Sequence, residues 1–239
     1  MFWPWQIVSN FLSLNFVYKL NFNCDAKKVL SEYDQWIKNN QLTKHPDIDN
    51  TGGWDVISLY SEDGKSQSVA KNNDVDTVPT DIIKDFPYTH SLIKELIIKF
   101  DTQPRRIRFS TLRKKMEITW HRDWDESLDH GNCRLHIPLR VNDKCYGNLC
   151  HQEYRWQPGE LWYGDYSFPH QVINSGDEDR LHIILDFKNP KKLFVDQILF
   201  NNEEIKRKKY KKLILFFYYY FYHYPKRLFK PMISKKNYN

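Results

Sequence analysis

From Ile107 to Phe187 the chain breaks into short runs rich in aliphatic, aromatic and β-branched residues, separated by turn residues. The runs fall at 107–112, 117–121, 134–141, 147–154, 159–163, 170–174 and 180–187. Strands this short and this regularly spaced predict an antiparallel sandwich or barrel. A jelly roll is one of the few architectures that closes with about eight strands. The expected fold is therefore an all-β core with flanking helices, a cupin-like double-stranded β-helix.

The preceding residues predict its supports. Residues 16–22 alternate partly, as a strand does, and Asp25 is placed to cap a helix whose apolar residues Val29, Tyr33, Trp36 and Ile37 recur at helical spacing. Gly52-Gly53 opens a short strand at 54–60, residues 61–77 read as a polar loop, and 82–100 returns to helical periodicity broken by Pro87. The expected organisation is supporting strands and helices at 1–105 and a catalytic core at 106–190 within one domain, followed by a tail at 191–239. No internal repeat is present.

The formal charge of +6 misleads, because residues 206–239 carry eleven Lys or Arg and no acid, leaving 25 basic against 30 acidic residues elsewhere. A mildly acidic body has no evident nucleic-acid surface, and nucleic acid is not an expected partner. Cys24, Cys133, Cys145 and Cys150 match neither a paired zinc motif nor a redox motif and read as reduced thiols. Residues 2–22 are apolar but lack the basic start and cleavage site of a secretory signal, so a cytoplasmic location is expected.

Trp120-His121-Arg122-Asp123 closes a predicted strand. Residues i and i+2 of a strand share a face, so His121 and Asp123 can point into one cavity while Arg122 points away. His170, 49 residues on and entering another predicted strand, completes two imidazoles and a carboxylate. That set leaves three positions open on a metal, as non-haem Fe(II) oxygenases require. Taken alone, a His-x-Asp reads more readily as a surface loop with a structural histidine. Arg180 changes the weighing: flanked by the alternating Leu181, Ile183 and Leu185, it faces inward, where an unpaired guanidinium is costly and calls for an anion.

These residues resemble the aspartyl/asparaginyl β-hydroxylase-like branch of the 2-oxoglutarate dioxygenases, over about residues 52–188. The resemblance is carried by Gly53-Trp54-Asp55-Val56-Ile57, Phe109-Ser110, Arg134-Leu135-His136-Ile137-Pro138-Leu139, and Gly159-Glu160-Leu161-Trp162 through His170 to Arg180. It implies Fe(II) held by His121, Asp123 and His170, with 2-oxoglutarate and O₂ as co-substrates and succinate and CO₂ as products. It also implies that Arg180 pairs with the distal carboxylate of 2-oxoglutarate, Ser110 adds a hydrogen bond, and Arg134 and His136 approach the metal-bound end. Arg134 and His136 are equally readable as core polar groups. The sequence departs from many relatives at Arg113-Lys114-Lys115, where they have a Pro-Gly turn. Asp123 argues against a halogenase, which leaves that ligand position for chloride.

Other polar groups carry less. Glu160, Asp165 and His170 lack the nucleophile elbow or phosphate loop of a hydrolase, and Asp165 reads as a turn residue. His182 shares a strand face with Arg180; His130 and His151 fall in loops, and residues 124–129 read either as a lid or as a solvated loop. In the tail, six basic residues in 206–212 precede ten apolar or aromatic ones at 213–222, too few to cross a bilayer as a helix. Residues 206–230 suit peripheral contact with a membrane and equally suit packing on the body. The expected substrate is an amino acid, a peptide side chain or a related small molecule, with a lipid acyl chain or a non-catalytic cupin-like binding module as alternatives.

Overall fold

The structure, a computed structural model, describes residues 1–46, 52–69, 75–192 and 209–233. Its core is two facing antiparallel sheets. Eight strands build both layers: β5 (Gln103–Leu112), β6 (Met116–His121), β7 (Asn132–Arg140), β8 (Cys145–Leu149), β9 (Gln152–Tyr154), β10 (Glu160–Gly164), β11 (His170–Asn174) and β12 (Arg180–Lys188). The larger sheet runs β10-β7-β12-β5 and the smaller β6-β11-β8-β9. Consecutive strands thus alternate between layers from β5 to β8 and from β9 to β12, the winding of a double-stranded β-helix. The earlier part of the chain widens the larger sheet: β1 (Val17–Asn23) pairs with β10, and β3 (Trp54–Ser61) pairs with β5 and carries the two-residue strands β2 (Thr43–Lys44) and β4 (Val78–Pro79).

Two helices cover the outer face of the larger sheet, and local chemistry fixes both. In α2 (Ala26–Ile37) the Asp25 carboxylate accepts from the Lys27 and Lys28 amides at 3.1 and 3.2 Å, and Val29, Tyr33 and Trp36 are buried at one-turn and two-turn spacing. In α3 (Pro87–Phe100) Pro87 occupies the first turn, where its missing N–H costs nothing. It starts the helix and does not break it; a 3-10 turn at Ile83–Asp85 precedes it. The α3 N-terminus is capped from the neighbouring helix, since Glu32 accepts from the Tyr88 and Thr89 amides at 2.6 and 3.0 Å. Odd-numbered residues of the sheet, among them Phe109, Leu135, Ile183 and Leu185, are fully buried in this layer.

Even-numbered residues of the same strands face the smaller sheet, and they are mostly polar: Arg106, Arg108 and Ser110 on β5, Arg134 and His136 on β7, Arg180, His182 and Asp186 on β12. All are buried. Registers place them side by side, with His182 opposite Ser110, Ile184 opposite both Arg108 and His136, and Asp186 opposite both Arg106 and Arg134. One side of a sheet therefore builds the core and the other a charged interior.

The run at 147–154 is two strands and not one. The chain reverses at Cys150, whose φ is +52°, and the Tyr154 ring then lies over Gly147, where a Cβ would meet it at 2.1 Å. Outside the smaller sheet, α1 (Pro4–Phe11) and a helix over 209–233, here α4, pack on an aromatic cluster of Trp5, Phe16, Trp120, Trp156, Phe168, Ile214 and Tyr218. A π-helical turn at Tyr219–His223 interrupts α4. Part of the expected 61–77 loop, and residues 206–208 of the basic cluster, lie outside the described residues.

Phe109 is fully buried, with ring centroids 5.0 Å from Tyr33 of α2 and 5.2 Å from Phe86 before α3. Phe109→Ala should lower unfolding stability by about 3–5 kcal/mol in urea titration; a loss under about 1 kcal/mol would mean the helices do not depend on this face.

Candidate metal centre

His121 ends β6 and His170 begins β11, and the two are direct cross-strand partners with ring centroids 4.1 Å apart. Each ring is oriented by its own strand: His121 Nδ1 lies 2.7 Å from the Thr119 carbonyl and His170 Nδ1 2.9 Å from the Phe168 carbonyl. An Nδ1–H donated to a carbonyl leaves Nε2 as the free lone pair, which is the state a metal binds. Burial first, and the neighbouring His121 second, push the His170 pKa down to about 3, so its ring stays neutral. Asp123 lies beyond the end of β6, held by its amide to the Tyr166 carbonyl at 2.9 Å. One ligand atom from each of His121, Asp123 and His170 falls within 4.8 Å of the others. Two neutral nitrogens and one carboxylate at that separation fit a divalent first-row metal.

Beside this triad lies a buried array of four guanidinium groups and four carboxylates. Arg134 reaches three of the acids: Asp123, Glu126 at 3.0 Å and Asp186 at 2.6 and 3.1 Å. Its Nη1 donates to Oδ2 of Asp123. Arg105 pairs with Asp125 and, at 2.8 Å, with Glu126, so the segment after Asp123 is anchored from β5. Asp186 also receives Arg106 at 3.2 Å and Arg108 at 3.3 Å. Burial alone would raise the Asp186 carboxyl, but Arg134, Arg106 and Arg108 outweigh it and hold its pKa well below the carboxylate range. Arg108 is the least satisfied member. Its Nε is buried without a hydrogen-bond partner among the described residues, and burial together with nearby Arg106 lowers its pKa to about 9.

Arg180 stands outside that array. Among the described residues no carboxylate pairs with it, and its Nη2 lies 2.8 Å from His182 Nδ1, with His136 Nδ1 3.4 Å beyond. A buried guanidinium bonded only to a neutral ring keeps a large uncompensated charge. It faces a cavity of about 340 Å³ together with His182, Tyr154 and Trp156. The triad does not line that cavity. A series of ring contacts runs from His170 through Tyr166, His136 and Trp156 to His182, the neighbour of Arg180, at 4.8, 5.1, 5.4 and 6.1 Å. His136 Nε2, inside this ring stack, is buried with no hydrogen-bond partner among the described residues.

The structure thus brings His121, Asp123 and His170 together and links Arg180, His182 and His136. Ser110 is the cross-strand neighbour of His182 and accepts from Trp54 Nε1 at 2.9 Å. Arg134 differs from expectation: Nε and both terminal nitrogens are engaged by the chain's own carboxylates, so it orients Asp123 and does not stand free for a co-substrate. Arg113, in the turn after β5, is held by Asp55 at 2.7 Å and Asp179 at 2.9 Å. Sequence reading missed Arg105, Arg106, Arg108, Glu126 and Asp186. The alternation of Arg106, Arg108 and Ser110 with Ile107 and Phe109 was the available signal, since it places two cations on the face opposite the core.

The fold is thus a double-stranded β-helix, and three side chains able to hold a metal converge on its inner wall. A profile of the aspartyl/asparaginyl β-hydroxylase family matches residues 23–190, and the chain belongs to that family. It is a 2-oxoglutarate-dependent oxygenase that uses Fe(II) and O₂. Among solved structures, it is similar to a 2OG-Fe(II) oxygenase family oxidoreductase from Burkholderia pseudomallei. That match has 11% identity and a TM-score of 0.52, covering 77% of this chain and 89% of the other. A prolyl-4-hydroxylase from Pseudomonas putida matches at 12% identity and a TM-score of 0.46, over 77% of this chain and 98% of its own.

Asp186→Asn would leave three guanidinium groups around a neutral amide. It should cost about 3–5 kcal/mol of stability in urea titration, and a loss below about 1 kcal/mol would contradict the shared-carboxylate account. A second expectation concerns pH. Burial first, and then Arg180, keep His136 and His182 well below the ordinary imidazole pKa. Both protonate near pH ~6.5 once unfolded, so below that pH the unfolded chain binds more protons and stability falls, by up to about 1.4 kcal/mol per pH unit per histidine. The urea midpoint of metal-free protein should decline from pH 7 to pH 5; an unchanged midpoint would mean these rings are not buried neutral.

Proposed function

We propose that this enzyme hydroxylates an unactivated C–H bond of an amino acid, a peptide side chain or a related small molecule that carries an anionic group. The observation that carries the reading is the convergence of His121, Asp123 and His170 within 4.8 Å. When bound, Fe(II) with 2-oxoglutarate and O₂ supplies the oxidant, with succinate and CO₂ as co-products.

The chain's own groups have distinct tasks. The Nε2 atoms of His121 and His170 and one Asp123 oxygen would hold the metal, and Arg134 keeps Asp123 in place from behind. Arg180 is the group for the distal carboxylate of 2-oxoglutarate, because it is buried without a counter-charge and a planar guanidinium receives a carboxylate on two parallel bonds. Ser110 and His136 lie on the same inner face. The orphaned His136 Nε2 is the kind of buried atom a bound ligand satisfies. The packed rings of Tyr166, Trp156 and His182 keep bulk water from this region.

Arg108 supports an anionic substrate. It lies near enough to Asp123 and Arg134 to feel their charges, and Asp186 satisfies it weakly at 3.3 Å. A substrate carboxylate or comparable anion would complete its bonding. A lipid acyl chain is the second reading, favoured by the large apolar side chains exposed along α4.

Incubation with Fe(II), 2-oxoglutarate, O₂ and fractionated small molecules or peptides should give substrate-dependent succinate and a product heavier by one oxygen. His121→Ala, Asp123→Ala and His170→Ala should each lower turnover by at least 100-fold, and Arg180→Leu should raise the KM for 2-oxoglutarate by at least tenfold. Full turnover in a triad variant would remove the assignment.

A further inference from the structure

α4 is unusual because its apolar character runs around the whole circumference from Leu213 to Tyr222. One stripe is spent on the fold: Ile214 and Tyr218 are buried, and Tyr218 meets Trp5 of α1 at 5.3 Å. A second stripe, turned away from the body, is not. Leu213, Phe216, Tyr220 and Tyr224, at steps of three, four and four, are 45%, 51%, 54% and 47% exposed, with Phe221 and Leu228 beside them. α1 and the residues just before it lie against α4 through Trp3 and Trp5 and leave Phe2, Ile7 and Phe11 exposed. A helix that is apolar on all sides belongs in an apolar or interfacial environment, so this outer stripe lacks its partner.

The flanks say which partner. Exposed Lys209 and Lys212 precede the aromatic stretch and exposed Arg227 follows it, and no acidic residue occurs after Glu204. A second copy of the chain would bring these cations against their own equivalents in a two-fold contact, which like charges disfavour. Tyrosine rings between basic residues instead match the headgroup layer of a bilayer, where the rings sit at the apolar boundary and the cations meet phosphate and carboxylate. No helix among the described residues is long and apolar enough to cross a membrane, so this one would lie on the surface.

We propose that the outer face of α4, extended by α1, docks the enzyme onto an anionic lipid surface. The docked face adjoins the metal centre. Trp120, next to His121, packs on Trp5 at 5.5 Å, and Lys211 of α4 bonds Asp129 at 3.2 Å in the segment after Asp123.

The test is co-sedimentation of the full chain with vesicles of phosphatidylcholine alone or mixed with phosphatidylserine, at low and high salt. Binding to the mixed vesicles should exceed binding to phosphatidylcholine at least tenfold and weaken as salt rises. Two variants change only exposed residues: Phe216→Gln/Tyr220→Gln/Tyr224→Gln and Lys212→Glu/Arg227→Glu. Each should weaken binding at least tenfold, with circular dichroism melts showing which remain folded. Full chain left in the supernatant with mixed vesicles, or a folded variant that pellets like the parent, would overturn the proposal. So would self-association of the parent, lost in the triple variant, with no vesicle binding by either.

Discussion

The antiparallel register of β6 and β11 is the constraint on which the site depends. It sets His121 opposite His170 at the mouth of the space between two sheets, and a slip of one residue would turn one ring to the outside. The ring orientations follow from the same strands, because each Nδ1 is tied to a carbonyl two residues back. Little further adjustment is needed to aim two Nε2 atoms at one point. Asp123 is different, since it lies past the strand and is positioned by a backbone bond to Tyr166 and by Arg134.

Most of the buried charge lies in the space between the layers, and that placement organises the rest. The larger sheet has an oily side, on which α2 and α3 pack, and a side carrying four arginines, two histidines and Asp186. Burying so many ions is affordable only because most of them meet one another. The array around Asp186 and Arg134 is close to balanced, so it fixes geometry and attracts little. Arg180, left with a neutral histidine, and Arg108, with one long bond, are the under-paired members.

The strand pattern was legible because alternating burial writes period two into the sequence, and six of the seven runs from Ile107 onward lie on single strands. The hairpin at 147–154 was not, because Gly147 and Tyr154 preserve the alternation while Cys150 turns the chain at a positive φ that its residue type does not announce. Pro87 looked like a break and is a helix start, a distinction that depends on Glu32 of another helix supplying the cap. His121 and His170 could be paired from spacing, since both sit at strand ends. The engagement of Arg134 could not, because Asp123, Glu126 and Asp186 reach it only through the tertiary fold. Of the two readings of the tail, packing on the body accounts for one face of α4, where Ile214 and Tyr218 are buried, while its other face is exposed.

The central claim is that three side chains hold one metal to which 2-oxoglutarate binds. Anaerobic titration of the Fe(II)-loaded protein with 2-oxoglutarate, followed by the visible charge-transfer absorption of the chelate, addresses it without knowledge of the substrate. The account predicts one metal per chain and a saturable band that is lost in His121→Ala, Asp123→Ala and His170→Ala variants that remain folded. Absence of the band in the parent protein, or the same band in those variants, would contradict it.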